Sequence, residues 1–129
     1  MSDWADIAND SLAAAKELKE SGRVRSCLSR AYYSAYAGVT GELVSCLGSV
    51  GPNGRENPGH EQVVKMVKHN LNPERFSLKQ RQELGRCFKR LLSFRIEADY
   101  DPSSSLDEQD AVLSLKHASR VLAILGSTK

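Results

Sequence analysis

The segment LLSFRIEADYDPSSS, residues 91–105, gathers Arg95, Glu97, Asp99, Tyr100 and Asp101 where a helix must end, because Pro102 follows. On one helix Arg95 and Asp99 stand four apart and can pair. A second concentration lies upstream in SRAYYSAY, residues 29–36, which holds Arg30, Tyr32, Tyr33 and Tyr36. Arginine grips a phosphate as a planar fork, and tyrosine offers both a ring face and a hydroxyl. Two readings of Arg30, Tyr33, Arg95, Asp99 and Tyr100 follow. The first is a buried polar cluster that fixes helix register. Such a cluster adds little net stability, although removing one partner costs about 3–5 kcal/mol. The second is a site for a nucleotide, a phosphate or a partner protein.

The remaining reactive side chains are sparse. His60 falls at the expected start of a helix and is read as its cap. His69 lies near that helix's far end, where a cation is favourable. His117 is read as a surface or partly buried helix residue. No two histidines have metal-ligand spacing, and Cys27, Cys46 and Cys87 are odd in number, far apart and without a C-x-x-C. The expectation is reduced thiols in a cytoplasmic protein, with no metal and no cofactor. Walker loop, nucleophile elbow and dinucleotide fingerprint are all missing. No short second helix offers the base-reading residues of a helix-turn-helix. No apolar run approaches the roughly 20 residues that span a bilayer, so no membrane role is expected. The start, MSDWADIAND, lacks the basic and apolar segments of a signal peptide.

The elements that position these residues are helical. A chain of 129 residues reads as one domain, residues 1–129, large enough to bury a core. Trp4, Ile7, Ser11, Ala14 and Leu18 form an apolar stripe, widened by Ala8, Leu12 and Ala15, and Gly22 suits the position just past that helix. A second helix is expected from about Arg23 to Leu47 on Val24, Leu28, Ala31, Ala35, Val39, Leu43 and Leu47. GSVGPNGRENPG, residues 48–59, carries four of the nine glycines and two of the four prolines and reads as a loop. A third helix should run from His60 to about Leu71 on Val63, Met66, Val67 and Leu71. Ser77 and Gln80 have capping-box spacing and open a fourth helix. Its stripe is Leu84, Cys87, Leu91, Phe94 and Ala98. Ser105 and Glu108 repeat that spacing ahead of a fifth helix on Ala111, Leu115, Ala118, Leu122 and Leu125, which Gly126 ends. The fold class is all-α, an antiparallel four- to five-helix bundle.

Ala31, Ser34, Ala35, Gly38, Gly41 and Ser45 form a row of small residues on the second helix. Each glycine there costs about 1 kcal/mol of helix propensity, and close approach of another helix would offset it. With the commonness of twofold assemblies, this row suggests a homodimer joined near the second or fourth helix. Charge is unevenly spread. Residues 55–95 hold ten Lys or Arg against four Glu, and residues 96–110 hold six acids and no base, although the net charge is only +2. The basic half is either a solvated face or a surface for a phosphate backbone or an acidic partner.

SRAYYSAY on the second helix, GH opening the third and FRIEADY ending the fourth resemble the HEPN family. The closest likeness is to its small single-domain members with S/N-R-A-Y-Y and R-x-x-A-D-Y motifs. The resemblance covers roughly residues 10–122. It implies a dimeric helical bundle from a toxin–antitoxin, defence or RNA-processing setting. Many members act with a small nucleotidyltransferase, and in several a tyrosine near the ribonuclease motif is modified by it; Tyr100 is the nearest match. Other members are metal-independent ribonucleases with an Arg and a His separated by four to six intervening residues. After Arg95 those places hold Tyr100, Asp101 and Pro102. Arg55 and His60 satisfy the spacing literally, but across the Gly/Pro loop rather than near the fourth helix. The favoured reading is a noncatalytic HEPN binding module with a partner such as a nucleotidyltransferase, or with a nucleotide or RNA. The alternatives are a ribonuclease with a degenerate or displaced Arg/His site, and a structural oligomerisation bundle.

Overall fold

A computed structural model describes residues 3–48 and 59–127 as five helices, with no strand among them. They are α1 (Trp4–Glu20), α2 (Val24–Leu47), α3 (His60–His69), α4 (Leu78–Tyr100) and α5 (Glu108–Ser127). The expected loop, residues 48–59, lies almost wholly outside the described residues, and so does Arg55. No described helix is long and apolar enough to cross a membrane.

The helix ends follow from side-chain chemistry. Asp3 caps α1: its carboxylate accepts from Asp6 N at 2.8 Å, and Asp6 accepts from Asp3 N at 3.2 Å. Gly22, at φ +75°, lets the chain turn out of α1 as expected, and Arg23 N donates back to Leu18 O at 2.9 Å. Ser77 and Gln80 form the expected reciprocal cap of α4. The start of α5 differs from expectation. Asp107, not Ser105, is reciprocally bonded to Asp110, so the cap is an Asp pair displaced by two residues. Gly126 does not end α5, which continues to Ser127. His60 does not cap α3 either; Gly59 holds the cap position, and the His60 ring is engaged elsewhere.

α2 touches all four other helices. Its buried face includes Leu28, Ala31, Tyr32, Ala35, Val39 and Leu43, whereas Leu47 is exposed at its end. The stripes expected on α3 and α4 are buried, and Phe88 joins them against Tyr32 with ring centroids 5.4 Å apart. On α1 the buried line is Ala8, Ser11 and Ala15, while Ile7 stays exposed. The small residues of α2 do their packing within the chain. A Cβ on Gly38 would stand 2.7 Å from Leu122 Cδ2, and one on Gly41 would stand 3.0 Å from Trp4 Cβ. The row is therefore the seat of α1 and α5, and it supplies no argument for a dimer.

Arg25 ties α2 to the end of α4. Its Nη1 donates to Glu97 O (3.2 Å), Ala98 O (3.0 Å) and Asp101 O (3.0 Å), and its Nη2 donates to Ser104 O (2.9 Å). Ala98 O is a carbonyl of the kind a helix end leaves open, while Glu97 O and Asp101 O also accept from Asp101 N and Ser104 N. Hydrogen bonds from a charged donor contribute about 1.5–3 kcal/mol. Arg25→Met is expected to lower unfolding stability by about 2 kcal/mol on that basis. Arg30→Met, at an exposed position with no partner among the described residues, should change it by less than about 0.5 kcal/mol. Urea unfolding of the two variants checks the contrast; equal losses would show that Arg25 is not the tie.

Candidate functional site

α2 presents Arg25, Ser29, Tyr32, Tyr33 and Tyr36 along one side, at spacings of three and four residues. α4 crosses this side and brings Arg95 and Asp99. Arg95 Nε stands 3.1 Å from Asp99 Oδ2, an ion pair rather than an aligned hydrogen bond. Its Nη2 donates to Tyr33 Oη at 3.2 Å. The guanidinium carbon lies 5.7, 5.6 and 5.4 Å from the ring centres of Tyr32, Tyr33 and Tyr100. Ser29 Oγ donates to Asp99 Oδ2 at 3.3 Å. Burial opposes the arginine's charge, but Tyr33, Tyr100, Asp99 and Tyr32 outweigh it and raise its pKa.

Tyr33, Arg95, Asp99 and Tyr100 thus come together. Arg30 does not join them. It points to the surface beside an open groove of about 800 Å³, shared with Ser26, Ser29, Tyr33 and Asp99. Three residues apart on α2, the two differ by about 60° in direction: Tyr33 is half-buried and reaches α4, while Arg30 stays exposed at the rim of the same groove. Tyr100 is 68% exposed and covers the arginine only from the rim. The cluster is less buried than expected on this side.

His60 enters the cluster from the start of α3. Its Nδ1 lies 2.5 Å from Tyr32 Oη, and its ring sits 5.4, 5.9 and 4.9 Å from the rings of Tyr32, Tyr33 and Tyr36. Arg95 and His60 are therefore fastened to the same tyrosines, whereas the literal spacing had paired His60 with Arg55. Burial, and then Arg95, lower the His60 pKa. Burial, and then Tyr36, push the Tyr32 hydroxyl above its ordinary range, so it keeps its proton. Tyr32 is fully buried and has no other polar partner among the described residues. An unmet buried hydroxyl costs about 1–3 kcal/mol, so Tyr32 donates and His60 Nδ1 accepts. The neutral imidazole then carries its proton on Nε2.

The acids at the end of α4 are also occupied. Asp101 accepts from Ser103 N at 3.1 Å, Ser103 Oγ at 2.6 Å and Ser104 Oγ at 3.3 Å; its pKa is lowered, chiefly by the Ser103 hydroxyl. Glu97 accepts from Ser104 Oγ at 3.2 Å. DPSSS is a hydroxyl-lined turn that stills these carboxylates. Among the described residues no group of three or more His, Cys, Asp or Glu is placed to hold a metal ion. The three cysteines are free thiols.

The site therefore defines an all-helical domain organised around an arginine held by tyrosines. The HEPN domain family model matches residues 1–128, and the chain belongs to that family. Neither a curated protein nor a solved structure matches it.

Sequence reasoning missed the approach of His60 and the role of Arg25. The place of His60 depends on how the chain returns after residue 59, which no local pattern encodes. Arg25 was open to detection, since it continues the stripe of Ser29, Tyr32 and Tyr36 by one more turn.

The depressed His60 pKa makes a signed prediction. A histidine kept neutral in the fold takes up its proton more readily when unfolded. Stability is thus full above the unfolded value of about 6.5 and falls as pH drops below it. His117, whose pKa burial also lowers, contributes in the same direction. The urea midpoint should fall between about pH 7.5 and 5.5, and less so in His117→Gln. Tyr32→Phe removes the donor to Nδ1, so the His60 resonance should titrate at higher pH than in the parent. An unchanged or lower His60 titration would show that Tyr32 is not donating.

Proposed function

We propose that the chain is a noncatalytic binding module of the HEPN family, working in the cytoplasm as a homodimer with a partner such as a small nucleotidyltransferase. Its setting is a toxin–antitoxin, defence or RNA-related system. One observation carries the noncatalytic reading: the His60 imidazole beside Arg95 has its Nδ1 turned to the Tyr32 hydroxyl, and the neighbouring carboxylates are tied to Arg95 or to serine hydroxyls. Asp99 is held by Arg95 and Ser29, and Asp101 by Ser103 and Ser104. A general base must be aimed at the proton it removes, and these contacts direct each group toward the chain's own residues.

Recognition chemistry remains at the edge of the cluster. Arg30 is unpartnered among the described residues and borders an open groove with Ser29, Tyr33 and Asp99. An arginine, hydroxyls and a carboxylate suit the phosphate and sugar of a nucleotide or an RNA end. Tyr100 is accessible to a modifying partner.

A second reading has one observation in its favour. Arg95 and His60 meet at one tyrosine cluster, and a ribonuclease with a displaced site would need such a pair. Incubation with structured and single-stranded RNA in EDTA separates the readings. No cleavage above background is expected. Cleavage leaving cyclic-phosphate ends, lost in both Arg95→Ala and His60→Ala, would establish the ribonuclease instead.

The dimer is tested separately. Light scattering at micromolar concentration is expected to give twice the chain mass of 14.2 kDa. The single-chain mass throughout that range would refute the dimer.

A further inference from the structure

The basic half of the sequence folds into one surface. α4 carries Arg86, Lys89 and Arg90 outward, and α5 carries Lys116 and Arg120 beside them; all are exposed. Contacts across the two helices fix this register. Arg120 holds Glu83 through Nε at 2.7 Å and Nη2 at 3.0 Å, and Arg90 and Lys116 both bear on His117. On the other flank of α4, Gly85 leaves room for Lys68 of α3: a Cβ there would stand 3.2 Å from Lys68 Cε. The lysine stem therefore lies on α4, and its ammonium adds to the same face. The acid among these cations, Glu83, is taken by Arg120. Lys68, Arg86, Lys89, Arg90 and Lys116 have no ion-pair partner among the described residues.

Two features decide what such a face can hold. First, aliphatic side chains border it. Leu78 and Ile96 on α4 and Leu113 on α5 are 61%, 48% and 38% exposed. Phe94, the ring on this part of α4, is buried, and the Arg90 guanidinium lies 4.5 Å from its centre. Aliphatic contacts serve a protein partner, while single-stranded nucleic acid needs open aromatic faces for stacking. Second, the face is short. Its cations run from about Lys79 to Arg90, roughly 17 Å of helix. Beyond them come Glu97 and Asp101, followed by Asp107, Glu108 and Asp110. A long phosphate backbone laid along α4 would run into these acids, whereas a segment of about three helical turns would not.

We propose that the outer face of α3, α4 and α5 docks an acidic helical segment of a partner protein, with aliphatic residues on one side flanked by Glu or Asp. The surface is separate from the Arg95 cluster, so this inference holds whether or not the chain cleaves RNA.

The test uses the full-length protein and fluorescence anisotropy at about 0.15 M salt, where only close charge contacts survive screening. The probe is a labelled 14-residue helical peptide of Leu and Glu with Leu on one face. An all-Glu peptide of the same length and a short RNA, single-stranded and duplex, serve as comparisons. The Leu/Glu peptide is expected to bind most tightly. Combined Arg86→Glu, Lys89→Glu and Lys116→Glu should weaken it about tenfold or more, and Leu113→Ser severalfold. These positions are exposed, and circular dichroism checks that the variants fold. RNA binding more tightly than the peptide through the same cations would overturn the proposal in favour of a nucleic-acid surface. Equal binding of the two peptides, no binding, or binding indifferent to the charge reversals would each overturn it as well.

Discussion

The fold is organised around one electrostatic demand: the Arg95 guanidinium, with its side chain only 13% exposed, must be held without bulk water. Removing a charge from water costs several kcal/mol unless partners replace the solvent. Asp99 supplies the counter-charge from the next turn of the same helix, Tyr33 accepts a hydrogen bond, and three tyrosine faces surround the cation. The counter-charge and the Tyr100 ring are local to α4. The rings of Tyr32 and Tyr33 belong to α2, so satisfying Arg95 sets the distance and rotation between the two longest helices. Arg25 strengthens the same pairing from the other side by capping the end of α4. The polar cluster and the helix register are one arrangement, so recognition and scaffolding share its residues.

For α2 to aim its tyrosines at α3 and α4, its opposite side must accept two helices at close range. Glycine and alanine make that possible. Gly38 receives the tips of Leu122 and Leu125, and Gly41 receives the Cβ of Trp4, an atom too near its backbone to move aside. The propensity lost at these glycines is offset by burial of the aliphatic tips against α2, since each buried methylene contributes about 0.8 kcal/mol. Bulk on one side of α2 and its absence on the other are thus complementary: large rings hold the site, and small residues hold the bundle.

Much of this was legible in the sequence because it is written in helical periodicity. The stripes Val63–Met66–Val67–Leu71 and Leu84–Cys87–Leu91–Phe94–Ala98 are buried as read, and the Ser77 cap and the Arg95–Asp99 pair are local spacings that a helix converts directly into contacts. What failed was long-range or depended on rotation about a helix axis. Arg30 and Tyr33 look alike as motif members, yet on α2 one stays exposed while the other reaches α4. The α5 cap moved to Asp107 because two Asp residues at the same spacing compete with Ser105 and Glu108, and the pattern does not rank them. The small-residue row was read as a contact between copies when α1 and α5 of the same chain fill it. A pattern reports that something must approach, and it does not report what.

The two charged regions of the sequence have opposite fates, and that difference is itself informative. The acids around residues 97–110 are largely bound within the chain, by Arg95, by the serines of the turn after α4 and by the cap of α5. The cations along α4 and α5 are, apart from Arg95 and Arg120, without ionic partners among the described residues. A near-neutral total therefore conceals a surface whose accessible charge is mainly positive. Folding has used the acids to finish helix ends, because carboxylates accept from the free N–H groups and hydroxyls found there. Lysine and arginine only donate, so apart from Arg25, which completes the C-terminal end of α4, and the paired arginines, they remain in solvent along the helix flanks. The separation follows from hydrogen-bonding chemistry rather than from net charge, and it leaves this bundle with a free positive field beside a closed polar cluster.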